Sequence, residues 1–331
     1  MVSSTDATQL RRSGSGDDLL KRFSEGDSRA LARVISLVEN EASGYRNLLS
    51  ALYHRTGKAR KIGITGSTGA GKSTLVDELA KLLVNQGSAL GIIAVDPTSP
   101  FTGGALLGDR VRMQDLGAQK GVFIRSMASR GSLGGLAKAT REVSMVLDAF
   151  GKDFLLIESV GVGQVTLDIA EVVDTTVVVL VPESGDGIQA MKAGLMEIAD
   201  IFVVNKADRE GADRIVTELE AVLDLKRKED DWSYPVVKTE ARKGLGVDLL
   251  LDHIRRHGEH LSQTGHLKRR KENLLRAEIL QLLSEKVQED IERRLVQGGG
   301  FEDIIADILK GNLDPYRAAD QLLEQVKGAE T

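Results

Sequence analysis

The sequence predicts an α/β fold built on a doubly wound, mostly parallel sheet, with helical extensions at both ends of the chain. Three observations support this prediction. Short apolar runs alternate with helical patterns from residue 60 to about residue 262, which is the order of strands and crossover helices in such sheets. A glycine-rich loop separates the first apolar run from the helix that follows it. Before and after this region, apolar side chains recur at helical spacing instead.

Four segments follow from these patterns. We expect a disordered N-terminus over residues 1–16, which are rich in Ser, Gly and Asp. Residues 17–56 are predicted to form a helical extension. Residues 57–264 would form the α/β domain, and residues 265–331 a C-terminal helical arm.

Within the α/β domain, most expected strands are nearly continuous apolar runs, as in parallel strands that are covered on both faces. Strands are predicted at residues 61–65, 91–96, 122–125, 153–158, 175–181, 201–205 and 234–239. Helices are predicted at residues 72–87, 134–149, 212–224 and 246–261.

The C-terminal arm is predicted to be one long amphipathic helix, residues 267–296, and two short ones, residues 301–309 and 315–327. Gly298-Gly299-Gly300 would end the long helix. These helices make a poor independent core. The arm therefore packs either on the α/β domain or on a second copy of the chain, as a dimerisation arm.

The composition excludes several classes of function. The 331-residue chain is 4% aromatic and carries a formal net charge of −5, so neither base stacking nor a basic surface predicts a nucleic-acid partner. The sequence has no cysteine, which excludes disulfides and thiolate metal sites and fits a cytoplasmic location. No apolar run approaches the ~20 residues of a membrane span, so we expect no membrane association.

A phosphate-binding loop is the strongest local signal. Gly66-Ser67-Thr68-Gly69-Ala70-Gly71-Lys72-Ser73 follows the strand 61–65 and leads through Thr74 into a helix, which is the context that a P-loop requires. Backbone N–H groups of the loop would surround a phosphate. Lys72 would reach the β- and γ-phosphates, and the Ser73 hydroxyl would ligate Mg²⁺. A plain glycine-rich turn would not need the whole motif.

A second motif favours guanine over adenine. Asn205-Lys206-Ala207-Asp208 closes the apolar run 201–204. The Asp208 carboxylate can accept hydrogen bonds from guanine N1–H and the exocyclic amine, whereas adenine would leave it unpaired at a cost of about 1–3 kcal/mol. Asn205 would brace the loops and Lys206 would lie along the base and sugar. After a strand and downstream of a P-loop, this motif predicts GTP.

Two acids end predicted strands at the carboxyl edge of the sheet, where ligands bind in such folds. Asp96 follows the apolar residues 92–95, and Glu158 follows 154–157. Each alone could be a helix cap or a surface carboxylate, but in a chain with a P-loop they predict a Mg²⁺ site. Gly161 can direct its backbone N–H at the γ-phosphate, so that loss of this phosphate releases the loop.

Two further glycine-rich segments have the composition of mobile loops. Asp109 lies in the run 98–113, where it could reach the metal or remain a solvated loop charge. The run 182–189 is too polar for a core, and Lys192 just beyond it could act in hydrolysis, contact a partner or cover a helix face.

Three histidines fall on one face of a predicted helix, at His253, His257 and His260. This spacing could bind a metal. Because Arg and Glu side chains surround them and the chain has no cysteine, we expect a solvated helix end instead.

Taken together, these motifs resemble the MeaB/ArgK family of P-loop GTPases, which includes the human methylmalonic aciduria type A protein. The similarity covers nearly the whole chain. Its motifs are GITGSTGAGKST (63–74), AVDPTSPFTGGALLGDRVRM (94–113), FIRSMASRGSLGGLAKAT (123–140), LIESVGVGQ (156–164), NKAD (205–208) and LDPYRAA (313–319). The second, third and fourth of these are specific to the family.

The resemblance implies a homodimeric GTPase that acts as a chaperone of an adenosylcobalamin-dependent acyl-CoA mutase, usually methylmalonyl-CoA mutase. GTP hydrolysis would gate cofactor delivery and protect or reactivate the mutase. By the family pattern, the phosphate and Mg²⁺ ligands are Lys72 and Ser73, the metal and catalytic acids are Asp96, Asp109 and Glu158, and the guanine ligands are Asn205, Lys206 and Asp208 with the backbone of Ala241.

The family pattern also makes residues 183–194 a third switch that couples to the mutase. Two positions depart from it. Ser159 stands where Thr is common, and Gly187 stands where an acid is common, which bears on the coupling.

Two other functions compete with the chaperone hypothesis. A nickel-insertion GTPase would need Cys or His ligands near the GTPase loops. A small-molecule kinase on the same fold would pass phosphate to an added acceptor, whereas a GTPase passes it to water.

Overall fold

In the described part of the chain, seven parallel strands form a sheet at the centre of the α/β domain. Numbered β1 to β7 in chain order, they lie side by side in the order β3-β2-β4-β1-β5-β6-β7. The structure, a computed structural model, describes residues 13–97, 114–129, 135–159, 169–182, 194–226, 231–298 and 300–328. It divides into two units at the boundary between Thr264 and Gly265. The predicted α/β class is confirmed, since crossover helices join the strands and pack on both faces.

The strands and helices of the first unit follow in chain order. The strands are β1 Arg60–Gly66, β2 Leu90–Pro97, β3 Val122–Ser129, β4 Phe154–Glu158, β5 Thr175–Leu180, β6 Ile201–Asn205 and β7 Val236–Thr239. The helices are α1 Ser13–Ser24, α2 Ser28–Glu39, α3 Tyr45–Leu52, α4 Lys72–Asn85, α5 Gln114–Gly117, α6 Gly135–Ala149, α7 Leu195–Ile198, α8 Ala212–Lys226 and α9 Val247–Gln263, with single 3₁₀ turns at Tyr53–Arg55 and Ala241–Lys243.

Alternating side chains of the strands pack into separate hydrophobic clusters on the two faces of the sheet. On one face, Ile62 and Ile64 of β1 pack with apolar residues of α4 and α9. On the other face, Ile93 of β2 and Ile157 of β4 pack with α6 and with the N-terminal helices. This explains the continuous apolar runs of the sequence, because a strand buried on both faces has no polar side to display.

Strand β2 extends one residue further than expected. The predicted strand ended at residue 96, but Pro97 belongs to β2 and lies opposite Ser129 of β3. On its other side, β2 pairs with β4 only as far as Ala94. Pro97 therefore lies where β2 has one neighbour, and its missing N–H need not interrupt a ladder there.

The start of β7 is later than expected for a local reason. Tyr234 has φ +46°, a left-handed conformation that a strand residue does not adopt. The strand consequently begins at Val236, although the predicted run started at residue 234. At the other end of the unit, the first helix begins at Ser13, inside the segment expected to be disordered.

The N-terminal helices pack against the sheet domain through an amphipathic stripe. Helix α2 begins after Asp27, whose carboxylate accepts a hydrogen bond from the Arg29 N–H at 2.7 Å and so caps the helix. Its residues Leu31, Val34 and Ile35 are fully buried and belong to the same core as α6. The extension is thus continuous with the packing of the sheet.

A buried carboxylate fastens the connection between this extension and β1. Asp148 of α6 is 2% exposed, and it accepts hydrogen bonds from the backbone N–H groups of Gly57, Lys58 and Ala59 at 2.6, 3.1 and 2.9 Å. A buried carboxylate with three donors is well compensated. The chain therefore enters β1 from a fixed position.

The second unit consists of three helices, which are α10 His266–Gly298, α11 Gly300–Leu309 and α12 Pro315–Gly328. The long predicted helix and its end within the glycine run agree with these bounds. Apolar side chains along α10 are exposed, among them Ile279 (55%), Leu283 (53%) and Val287 (56%). These three residues recur every fourth position, so they lie on one face of the helix.

Candidate nucleotide-binding site

A cavity of about 500 Å³ opens at the carboxyl edge of the sheet, within the size range of small-molecule sites. It brings together segments that are far apart in the sequence. Its walls come from the P-loop, the end of β4, and the loops after β6 and β7: Gly69, Gly71, Lys72, Ser73, Thr74, Glu158, Asn205, Lys206, Asp208, Arg209, Glu240, Ala241, Arg242 and Lys243.

Some predicted site residues do not line this cavity. Gly66, Ser67, Thr68 and Ala70 belong to the same P-loop but do not line the cavity. The backbone of Asp96 lies near the end of β2, opposite Ala128, while its side chain is outside the described part. Asp109, Gly161, Gly187 and Lys192 are also outside the described residues, as is the predicted third switch up to residue 193.

The glycines of the P-loop are required by close backbone approaches. Gly66 has φ +135°, and a Cβ on it would collide with the carbonyl oxygen of Val179. Gly71 has φ +87°, and a Cβ there would collide with the side-chain amide of Asn205. Residues other than glycine are excluded by both the conformation and the space. The loop is thereby held against β5 on one side and the β6 loop on the other.

Lys72 is a buried cation held by backbone carbonyl oxygens. Its Nζ donates to the oxygens of Gly66 and Ser67, each at 2.9 Å, and the residue is 7% exposed. Burial lowers the pKa of Lys72, and the charge of Glu158 opposes this shift. Carbonyl dipoles compensate a full positive charge only in part, so an anion such as a phosphate would be a better partner.

Ser73 and Glu158 join the start of α4 to the end of β4. The Ser73 hydroxyl donates to Glu158 Oε1 at 2.6 Å, across 85 positions of sequence. A hydroxyl and a carboxylate are hard oxygen ligands of the kind that Mg²⁺ prefers. Among the described residues, no group of three or more Asp, Glu or His side chains could hold a metal alone.

Asn205 ties the base end of the cavity together. Its Nδ2 donates to the carbonyl oxygen of Ala70 at 2.8 Å. Its Oδ1 accepts from Thr239 Oγ1 at 3.0 Å and from the Ala241 N–H at 3.1 Å. The residue is 3% exposed, so these bonds satisfy a buried amide. The P-loop, the β6 loop and the β7 loop are consequently linked through one side chain.

The residues expected to meet the base lie next to this link. Lys206 adopts φ +57°, a conformation that non-glycine residues adopt rarely and often at functional sites. Asp208 is exposed and lines the cavity. The Ala241 N–H already donates to Asn205, so a guanine carbonyl would have to share it. The role that the resemblance gave to Ala241 therefore stays a prediction.

The sequence reasoning missed a set of charged residues at the same end. Glu240, Arg242 and Lys243 line the cavity beside Asp208, and Lys243 Nζ lies 2.5 Å from Glu240 Oε2. The hydrogen bond and charge of Glu240 raise the pKa of Lys243, with a smaller contribution from Asp208. Their position directly around Ala241 in the sequence was the available signal.

The three histidines of α9 do not form the solvated helix end that we expected. His257 is 2% exposed. Its Nδ1 lies 2.9 Å from Thr175 Oγ1, and the Trp232 ring packs against it at 4.8 Å. His257 lies on the stripe of buried residues of α9, so helical periodicity directs it into the core. No described cluster on this face could hold a metal.

None of the described helices combines the length and the apolar character that a membrane crossing requires.

Comparisons with known proteins identify a family and several relatives. The family described as Methylmalonyl Co-A mutase-associated GTPase MeaB matches residues 31–296. A Pyrococcus abyssi protein named as a candidate GTPase is 50% identical over 315 residues, which are 94% of this chain and 97% of the relative. The mouse protein named methylmalonic aciduria type A homolog, mitochondrial, is 33% identical over 329 residues, which are 94% of this chain and 79% of the mouse protein.

A solved structure titled LAO/AO transport system kinase has the same fold. Its TM-score is 0.70 at 25% identity, and the match covers 96% of this chain and 99% of that chain. The likeness extends over both units of the chain and supports the α/β architecture derived from the sheet.

Proposed function

The chain belongs to the MeaB family of methylmalonyl-CoA mutase-associated GTPases, and on this basis we propose that it is a nucleotide-dependent chaperone of an adenosylcobalamin-dependent acyl-CoA mutase. It is a GTPase and binds guanine nucleotide, as its family and relatives show. The partner that we propose is methylmalonyl-CoA mutase or a close relative in the cytoplasm. GTP hydrolysis would gate loading of the mutase cofactor and protect or reactivate the mutase.

The match of residues 31–296 to a family described by its association with this mutase carries the proposal. The geometry of the sheet supports a nucleotide switch. The chain leaves β2, β4 and β5 after Pro97, Glu158 and Leu180. These exits are at the carboxyl edge, where the cavity lies. A partner that grips the segments beyond them could respond to the nucleotide, and by linkage would alter its affinity or turnover.

We assign roles in the cavity by combining its geometry with the family pattern. The backbone of residues 66–74 would surround the phosphates, with Lys72 on the β- and γ-phosphates. Asn205, Lys206, Asp208 and Ala241 would hold guanine. The set proposed for Mg²⁺ and catalysis is Ser73, Asp96, Asp109 and Glu158.

The contacts of these side chains suggest how they would bind GTP. Lys72 would exchange the carbonyl oxygens of Gly66 and Ser67 for phosphate oxygens, because these carry full negative charge. The bond from Ser73 to Glu158 would open, so that both oxygens could turn to Mg²⁺. When bound, Mg²⁺ would neutralise charge on the transferring phosphate. Glu158 would thus change from a hydrogen-bond acceptor of Ser73 to part of the metal shell.

We also propose that residues 265–331 are a dimerisation arm, following a helical extension at 17–56 and a GTPase domain at 57–264. The exposed apolar row of α10 supports this assignment, since a solvent-facing row of Ile, Leu and Val is costly in a monomer. The family pattern points to a second copy of the chain as the occupant of this surface.

The chaperone proposal is tested with purified mutases of the same organism. We expect one of them to bind this protein in a nucleotide-dependent way and to accelerate GTP hydrolysis, by roughly tenfold or more, as partners do in other switch GTPases. Asp186→Ala and Gln189→Ala, in the predicted third switch, should reduce this acceleration more than intrinsic hydrolysis. Asp208→Asn is the matched control, because the mutase should still accelerate nucleotide hydrolysis by this variant when a xanthine nucleotide replaces GTP.

If no such mutase of the host binds or stimulates, the chaperone proposal is wrong. Phosphate transfer to an added small-molecule acceptor would then favour the kinase function. Stoichiometric nickel binding in a metal titration would favour the metal-insertion function.

A further inference from the structure

Two buried hydroxyl groups meet behind the proposed metal site. The Ser159 hydroxyl donates to Thr65 Oγ1 at 2.6 Å, although the two residues are 94 positions apart in the sequence. Thr65 is fully buried and Ser159 is 1% exposed. The pair therefore exchanges no hydrogen bonds with solvent, and loss of either hydroxyl would leave the other without this partner.

The pair lies at a critical position along two central strands. Ile64 of β1 lies opposite Glu158 of β4 in the parallel register. The Ser159 N–H donates to the Ile64 carbonyl oxygen at 3.0 Å. Together with the hydroxyl bond, this continues the pairing of β1 and β4 by one residue past the end of β4.

The residues flanking the pair are those that form the cavity. Thr65 directly precedes Gly66, the first residue of the P-loop, and Ser159 directly follows Glu158. Because side chains alternate along a strand, Glu158 and Ser159 point to opposite faces of the sheet. Glu158 reaches Ser73 at the start of α4, whereas Ser159 bonds to Thr65 on the other face of the sheet.

We propose that Thr65 and Ser159 are positioning residues, whose hydroxyl bond holds the Glu158 carboxylate in register with the P-loop and thereby sets the affinity of the GTP-bound site for Mg²⁺. This inference rests on the proposed role of Glu158 in the metal shell. The backbone of Glu158 is restrained before it by the β-ladder and after it by Ser159. The Cα of Glu158 is therefore fixed relative to the P-loop, which keeps its carboxylate within reach of the Ser73 hydroxyl and of a metal ion between them.

Thr65→Val provides the sharpest test, because valine has nearly the same shape as threonine and carries a methyl group in place of the hydroxyl. We expect turnover at limiting Mg²⁺ to fall about tenfold. A direct binding readout should change as well. The Mg²⁺ concentration that half-maximally slows release of a fluorescent, non-hydrolysable GTP analogue should rise by about fivefold or more. Affinity for this analogue in EDTA should remain within about twofold. Thr65→Ser, which keeps the hydroxyl, should restore both properties.

Thr175→Val is the matched control. Thr175 is also buried, and its hydroxyl lies 2.9 Å from His257 Nδ1. It is the first residue of β5, so it lies at the amino-terminal ends of the strands, away from the cavity. This variant should lower thermal stability by a comparable amount and leave the Mg²⁺ dependence unchanged. Equal effects of Thr65→Val and Thr175→Val on Mg²⁺ affinity would overturn the proposal.

A double-mutant cycle with Glu158→Gln tests whether the pair acts through Glu158. In the Glu158→Gln background, Thr65→Val should cause little further loss of Mg²⁺ affinity. Additive losses would overturn the proposal, and so would a Glu158→Gln variant with normal Mg²⁺ affinity. If Thr65→Val does not fold, Ser159→Ala takes its place in the same cycle, with the same outcomes. No mutase is present in these assays, so failure of the chaperone proposal leaves the result unaffected.

Discussion

Individual side chains at the base end of the cavity separate two tasks, holding the loops and recognising the base. Asn205 holds the loops through three hydrogen bonds and is buried. Asp208 is exposed beside it. A substitution of Asp208 should therefore change which base is bound without disturbing the loops, whereas a substitution of Asn205 would affect both.

The first prediction concerns this selectivity. Asp208→Asn should weaken GTP binding by roughly 10–100-fold, because the amide cannot accept both guanine donors. The same variant should bind xanthine nucleotides better, since their C2 carbonyl accepts from the amide. Isothermal titration calorimetry measures both affinities. Asp213→Asn, an exposed carboxylate that pairs with Lys238 at 2.9 Å, should behave as wild type. Equal affinity of the unmodified chain for ATP and GTP would contradict the assignment.

A second residue-scale prediction compares two buried lysines. Burial lowers the pKa of both Lys72 and Lys152, and each donates to backbone carbonyl oxygens. Only Lys72 lies in the cavity. Lys72→Ala should therefore weaken GDP and GTP binding by at least about 100-fold, whereas Lys152→Ala should bind nucleotide normally. Fluorescence titration with a labelled nucleotide distinguishes the two. Normal nucleotide binding by the Lys72→Ala variant would show that Lys72 does not bind the phosphates.

At the scale of the element, the N-terminal helices and the sheet are joined by one helix, α6. Its apolar face packs on α2, and Asp148 near its end binds the segment that leads into β1. Arg125 of β3 adds an ion pair with Glu39 of α2. The extension is thus attached both through α6 and directly to β3, and its contribution to stability should depend most on the buried contact of Asp148.

Asp148→Ala should lower the free energy of unfolding by about 3 kcal/mol, because three backbone donors would lose their buried acceptor. Asp27→Ala removes an acceptor of similar chemistry at the exposed start of α2, and should cost only about 1 kcal/mol. Urea denaturation followed by circular dichroism measures both. Equal losses in the two variants would show that burial of Asp148 does not set its contribution.

For the molecule as a whole, the exposed apolar residues of the C-terminal arm bear on whether two chains form a dimer. Its apolar row on α10 consists of Leu275, Ile279, Leu283 and Val287, each at least 40% exposed. Charged residues of the same helix form ion pairs within it, such as Lys268 with Glu272. A contiguous row of exposed large apolar side chains on a helix indicates a surface that packs on another protein or subunit.

We predict that light scattering on the intact chain gives about twice its mass of 35.7 kDa. Ile279→Asp should shift the protein to a monomer, since burying an unpaired charge in an apolar interface costs several kcal/mol. Gln281→Asp, at an exposed polar position two residues further along, should leave the dimer intact. A monodisperse monomer of the unmodified chain at micromolar concentration would favour packing of the arm within one chain.

The fold and the family can be predicted from local sequence patterns alone. Each strand of the sheet is encoded locally by a buried apolar run, and the P-loop is encoded by contiguous glycines whose backbone conformation no other residue adopts easily. The guanine motif is equally contiguous. Such signals can be read without knowing what the segment contacts, which is why the α/β class, the GTPase activity and the MeaB resemblance were all predicted correctly.

The hydrogen bonds between residues that are far apart in the sequence could be identified only from the folded structure. The bond from Asn205 to Ala70 spans 135 positions, and the bond from Ser159 to Thr65 spans 94. Neither has a sequence pattern of its own, because a polar side chain finds its partner only after packing has set the register of the strands. The same reason explains the error at His257. Its neighbours in sequence are charged, but the stripe of α9 that carries it faces the core, and burial follows from packing rather than from local charge.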